Sequence, residues 1–303
     1  MKDLLKNFRL LCAAAVLGGA ATAALAAEPL PVTASFSILG DLVQMVGGDR
    51  VTVTTLVGPD QDAHTFEPKA ADARNLLQSR LLVTNGLGFE PWARKLAKAS
   101  GYKGQRIVAS EGVKARAMPS EPGKKLAEDD PHAWQNPGNV EIYVRNIAAA
   151  LGRLDPASAP FFNANSDAYV KELQALDAWA KAQFAAVPAD KRKVITSHDA
   201  FGYLGARYDI RFLAPQGISS ESEPGAKAVA QFIGQIRREK IRAVFIENMS
   251  NPKLLAQLSK DAGVTPGPTL YVDALSAKGG PADSYLQLMR HNVTQLERGM
   301  KQN

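Results

Sequence analysis

The stretch SAPFFNANSDAYVKELQALDAWAKAQFAA, residues 158–186, repeats apolar side chains at helical spacing over nearly thirty positions. It contains no Gly, and no Pro after Pro160. Pro156 and Pro160 stand near its start and Pro188 just past its end, as at helix boundaries. Leu173, Leu176, Trp179, Ala180 and Phe184 suit one buried stripe. A helix of this length between two groups of shorter runs predicts a stiff strut joining two lobes. The same pattern also suits a surface helix of one larger domain.

Outward from that helix, short apolar runs alternate with longer amphipathic ones, the pattern of parallel sheets covered by helices. Residues 32–38, 51–57, 81–83 and 106–108 read as strands of a first set, with helical spacing over 41–46 and 70–79. Residues 193–197, 210–214, 242–247 and 269–272 read as a second set, with helices over 226–239, 252–262 and 282–300. The expected fold is α/β: two lobes, each a parallel sheet flanked by helices, joined by one long helix. The expected bounds are 27–157 for the N-terminal lobe, 158–187 for the linking helix and 188–303 for the C-terminal lobe.

Residues 1–26 read as a signal peptide. Lys2, Lys6 and Arg9 precede an apolar run over 10–25 that ends in the small-x-small site Ala24-Leu25-Ala26. A membrane anchor is the alternative, but the run is short for a span and has no basic stop after it. Cys12 follows bulky Leu11 and precedes most of the run, unlike a lipid-modified cysteine. Cleavage near Ala26 then predicts a soluble, periplasmic chain. Cys12 is the only cysteine, so the mature chain has no thiol. Disulfides, iron–sulfur clusters, thiolate zinc sites and cysteine nucleophiles are excluded together. Of the net charge of +6, part belongs to the leader, and the remaining bases are scattered among acids, which gives no case for nucleic acid.

Chemistry concentrates in the four histidines. His64, His132 and His198 stand in loop-like sequence after a strand or before a helix, and loops beyond the carboxyl ends of parallel strands are where ligands bind. Asp273 directly follows the strand at 269–272. Three imidazoles and a carboxylate suit a closed tetrahedral zinc shell better than calcium or magnesium. Each histidine alone reads more readily as a surface or hydrogen-bonded loop residue than as a ligand, and no His-Glu-x-x-His occurs. Glu67, Asp130 and Asp199 lie close to these positions and either orient an imidazole or cap a helix, with capping favoured for Asp199. Trp134 and Phe201 read as core aromatics rather than shields of the site, and His291 as structural or exposed.

At these residues the chain resembles the metal-specific solute-binding proteins of zinc and manganese ABC importers. Asp62-Ala-His64-Thr-Phe-Glu67-Pro68, Asp130-Pro-His132-Ala-Trp134-Gln-Asn-Pro137, His198-Asp-Ala-Phe-Gly202-Tyr203 and Tyr271-Val-Asp273-Ala-Leu-Ser276 are similar to that family's four ligand loops. Asn85-Gly-Leu-Gly88 and Gly217-Ile-Ser-Ser-Glu221-Ser-Glu223-Pro224 match further landmarks. The resemblance implies a metal ion held between two lobes by His64, His132, His198 and Asp273. It also implies delivery to a membrane permease with a cytoplasmic ATPase, by a monomeric shuttle. A histidine at the third position leans to zinc over manganese, with manganese or iron the alternative. Many zinc-importing members carry a His-rich loop before the second ligand, whereas residues 114–130 here hold no histidine and read as a polar surface loop. Two rivals remain from other classes. A zinc hydrolase needs an open metal position, which Asp273 fills, and a metal-binding adhesin on the same scaffold fits poorly with a cleaved, soluble chain.

Overall fold

The computed structural model describes residues 28–118, 129–215 and 225–303. The leader at 1–26, the central part of the 114–130 loop and the landmark at 217–224 lie outside the described residues.

The first sheet is built from β1 (Leu30–Phe36), β2 (Val51–Val57), β3 (Leu81–Thr84) and β4 (Gln105–Val108), all parallel, in the order β2-β1-β3-β4. Central β1 pairs on both sides, Val32 lying opposite Val53 and Leu81. It is buried along almost its whole length, as expected of a strand covered on both faces. Edge strand β4 alternates half-buried and exposed residues. Helices α1 (Ser37–Gly47), α2 (Ala70–Gln78) and α3 (Pro91–Ala99) connect these strands. Strand β1 stops at Phe36 instead of running to residue 38, because Ser37 and Ile38 already turn into α1.

Helix α4 (Pro137–Leu154), like α3, is absent from the sequence expectation. Its start is well marked: Pro137 occupies the first helical position and the Asn136 side chain accepts from the Gly138 N–H at 2.9 Å. The long helix is α5 (Ala159–Ala185), 27 residues and so roughly 40 Å of rise. Phe162, Tyr169, Val170, Leu173, Leu176, Ala180 and Phe184 bury one stripe of it, while Trp179 is half-buried under the Arg290 guanidinium. The helix packs on α1 and α4 from the first set of elements and on the closing helix α9 (Tyr285–Met300) from the second. Asp177 fastens it to α6 (Gly202–Tyr208), accepting from Arg207 Nη2 at 2.7 Å and Tyr208 OH at 2.9 Å.

The second sheet is smaller than expected. Strands β5 (Lys193–Ile195) and β6 (Arg211–Leu213) pair in parallel, and the expected strands at 242–247 and 269–272 join only through single bridges, Ile195 to Val244 and Glu247 to Leu270. Helices α7 (Ala226–Glu239) and α8 (Pro252–Ala262) cover it around a separate apolar cluster of Ile195, Ile236, Ile241, Val244, Leu255 and Leu258. Among the described residues no helix is long and apolar enough to cross a membrane.

Candidate metal centre

His64, His132, His198 and Asp273 sit on four separate connections: after β2, after β4, after β5, and after the bridge at Leu270. Those connections meet in one place. One candidate donor atom from each residue lies within 4.8 Å of all the others. His64 Nε2 is 3.2 Å from His132 Nε2 and 3.3 Å from Asp273 Oδ2, and His198 Nε2 is 3.2 Å from Asp273 Oδ2. His132 Nε2 stands 3.8 Å from Asp273 Oδ1. Around zinc, with bonds of about 2.0–2.1 Å, tetrahedral donors stand roughly 3.3–3.4 Å apart, so three of the four spacings already match such a shell.

The site is dry. His132, His198 and Asp273 are fully buried, and the His64 side chain, 7% exposed, marks the side open to solvent. His198 Nε2 and both Asp273 oxygens have no hydrogen-bond partner among the described residues. Buried polar atoms are rarely left so, and these point into the space between the four residues, the arrangement that a cation satisfies.

Two of the three histidine rings are held from behind by a carboxylate, and the third histidine is held by its backbone. The Asp130 carboxylate accepts from the His132 N–H at 3.0 Å and lies 2.9 Å from its Nδ1. A proton on Nδ1 leaves the Nε2 lone pair facing the other donors. Glu247, buried, does the same for His198: it contacts Nδ1 and accepts from the Ser197 and His198 N–H groups at 2.9 and 3.2 Å. Asp62 Oδ1 accepts from the His64 N–H at 2.8 Å. Burial opposes a charge on His198, yet Glu247 and Asp273 outweigh it and raise its pKa well above the usual value. Burial likewise opposes the Asp273 carboxylate, but His198 and His132 hold its pKa well below the usual range. The two shifts favour a charged His198 facing the Asp273 carboxylate at 3.2 Å.

Of the flanking residues read in the sequence, Asp130 orients a ring, whereas Glu67 is exposed. The cap expected of Asp199 is not formed: Phe201 is the N-cap of α6 and carries no side-chain bond. Trp134 is a buried core aromatic that also borders the site. Its ring centroid is 5.4 Å from that of His132, and its Nε1 donates to the Val272 carbonyl at 2.9 Å. Phe201 stacks on Phe212 in the core. His291 is half-buried, with Nε2 2.8 Å from the Thr269 carbonyl oxygen. Glu247 and Phe89, whose ring packs 4.6 Å from that of His64, are the site residues sequence reading missed. Glu247 is visible there only as the end of an expected strand.

The segment bearing Asp273 is bonded on both sides to residues far earlier in the chain. The Val272 carbonyl accepts from Trp134 Nε1 at 2.9 Å and Gln135 Nε2 at 3.2 Å. The Leu275 N–H donates to Ser37 Oγ, and its carbonyl accepts from the Asp60 N–H, both at 3.0 Å.

Comparison with known proteins identifies the family. Residues 32–299 match the family model described as ZnuA, zinc-uptake complex component A periplasmic. The chain is similar to the iron-binding protein YfeA of Yersinia pestis, 32% identical over 91% of this chain and 88% of that protein. It is similar also to the manganese-binding lipoprotein MntA of Bacillus subtilis, 30% identical over 90% of each. Among solved structures, the Mn-bound periplasmic metal binding protein of Candidatus Liberibacter asiaticus superposes with a TM-score of 0.80 at 30% identity, covering 89% of this chain and 99% of that one. The periplasmic zinc binding protein TroA of Treponema pallidum gives 0.83 at 26%, covering 90% and 99%. The chain therefore belongs to the ZnuA family, metal-binding solute-binding proteins of ABC transporters and not enzymes.

Proposed function

We propose that this protein captures zinc in the periplasm, holds it with His64, His132, His198 and Asp273, and delivers it to a membrane permease driven by a cytoplasmic ATPase. The observation that carries the reading is the convergence of four donors within 4.8 Å of one another, three of their contacts at 3.2–3.3 Å, on buried atoms that lack other partners. Three nitrogens of borderline softness and one carboxylate favour zinc. The shuttle acts as a monomer with no role for nucleic acid, in lobes at 27–157 and 188–303 joined by 158–187, after loss of the leader near Ala26.

A second reading, manganese or iron, is supported by the freedom of both Asp273 oxygens, which allows a bidentate carboxylate and a larger shell. The relatives named for manganese and iron point the same way. The test is a competition titration of the metal-stripped protein with zinc and manganese, alongside His64→Ala and Asp273→Ala. One zinc per chain, weakened in both variants, supports the proposal. Preference for manganese keeps the transport role and overturns the choice of ion, and stoichiometric binding of neither metal sinks both readings.

A further inference from the structure

Two of the candidate ligand loops share a local plan. In Asp62-Ala63-His64 and Asp130-Pro131-His132 the aspartate Oδ1 accepts from the histidine N–H two residues on, at 2.8 and 3.0 Å. In each loop the carbonyl just before the histidine is held by a buried side-chain N–H, and both donors come from one segment. Asn85 Nδ2 donates to the Pro131 carbonyl at 2.9 Å, and Trp92 Nε1 to the Ala63 carbonyl at 2.7 Å. Between these donors Phe89 packs edge-to-face against His64 and, at 4.8 Å, against Trp134, which itself borders His132.

The segment is fixed in its own right. Gly86, Leu87 and Gly88 take consecutive positive φ values of 86°, 53° and 80°. Buried Glu90 closes that turn, accepting from the Asn85 N–H, from the Gly86 N–H at 3.3 Å and from Ser35 Oγ at 2.8 Å. Tyr143, buried on α4, donates its hydroxyl to Asn85 Oδ1 at 2.5 Å, which sets the amide so that Nδ2 faces Pro131. Such clamps have work to do, because ring nitrogens of His64 and His132 face each other at 3.2 Å and their lone pairs repel unless a proton or a cation lies between them.

We propose that the segment 85–92 is a jig that sets the separation of His64 and His132, with Asn85 and Trp92 as positioning residues for metal capture. This rests on the reading of those two histidines as ligands. It gives the Asn85-Gly-Leu-Gly88 landmark a physical role: a rigid turn that grips one ligand loop through Asn85 and leads into α3, whose Trp92 grips the other.

The test uses Asn85→Leu, which keeps the side-chain size and removes the donor, and Trp92→Phe, which keeps a ring and removes the N–H. Tyr143→Phe, which frees the amide to turn, is the milder second variant should Asn85→Leu fail to fold. Zinc affinity is measured by chelator competition, and the visible absorption of the Co2+-loaded protein reports donor geometry, which a merely structural role leaves unmoved. Each variant is expected to bind zinc about 10–100-fold more weakly, with altered Co2+ bands. Wild-type affinity and Co2+ spectra in these variants, with zinc lost in a parallel His132→Ala protein, overturn the jig alone. Zinc retained in His132→Ala at wild-type affinity overturns the ligand reading, and the jig with it.

Discussion

Replacing Glu247 with Gln tests whether His198 is delivered to the metal in one tautomer. The carboxylate contacts His198 Nδ1 and accepts from the N–H groups of Ser197 and His198 and from Ser250 Oγ. A glutamine has one acceptor oxygen in place of two. If that oxygen stays with the two backbone N–H groups, the amide NH2 faces Nδ1 and favours the proton on Nε2, the atom meant for the ion. If the amide turns over, two buried backbone donors face its NH2, at about 1–3 kcal/mol for each group left unpaired. Either route weakens zinc binding by roughly 1.4–2.8 kcal/mol, about 10–100-fold, the usual range for a residue that orients a metal-bound histidine. Losing the Glu247 charge also lowers the His198 pKa, so the pH dependence of affinity should flatten. Chelator competition at about pH 8 and about pH 6 measures both effects. Wild-type affinity with an unchanged pH slope refutes the reasoning.

The raised His198 pKa also has a signature in folding. A histidine whose folded pKa exceeds its unfolded value, about 6.5, stabilises the fold fully below that pH and loses the contribution as pH rises through the folded value. Melts of metal-free protein should therefore show Tm falling as pH climbs above about 6.5, while saturating zinc, which displaces the proton, removes the trend. A metal-free Tm that rises through this window contradicts the imidazolium between Glu247 and Asp273. Gly202→Ala probes the support of His132: an added Cβ would stand 2.5 Å from Asp130 Oδ2 and 3.1 Å from Arg116 Nε, pushing the carboxylate off the ring. Zinc affinity should drop about tenfold, and a titration matching wild type shows that Asp130 has room to adjust.

How much of this was legible depended on whether the deciding contacts were local. The strand at 51–57 and the helices at 226–239 and 252–262 carry the expected bounds, and α8 shows why: Asn251 and Pro252 open it, and Gly263, at φ 74°, closes it. The junction of β1 and α1 was not legible because Phe36, Ser37, Ile38 and Leu39 are all buried, leaving no change of period to read. Helix α4 carried a readable start in Asn136-Pro137 and apolar residues at Val140, Tyr143, Val144, Ile147 and Leu151, a pattern overlooked beside the longer α5. Strand pairing at 242–247 and 269–272 depends on neighbours brought from elsewhere, and local apolar character overstated it. The four converging residues were readable less from spacing, since His132 follows a polar loop, than from the four loop motifs that carry the family resemblance. Glu247 was not, since its partner His198 lies 49 residues away and nothing between them records the contact.

The bonds that fasten the Asp273 segment to Ser37, Asp60, Trp134 and Gln135 bear on how the grip is divided. Although Asp273 lies late in the chain, it is anchored to the same scaffold as His64 and His132. His198, with Glu247 behind it, instead follows β5, whose Ile195 belongs to the separate cluster under α7 and α8, while Val194, Ala200 and Phe201 join the main core. An ion held by all four would thus meet three of its donors on one scaffold and the fourth on a segment shared between the two apolar clusters.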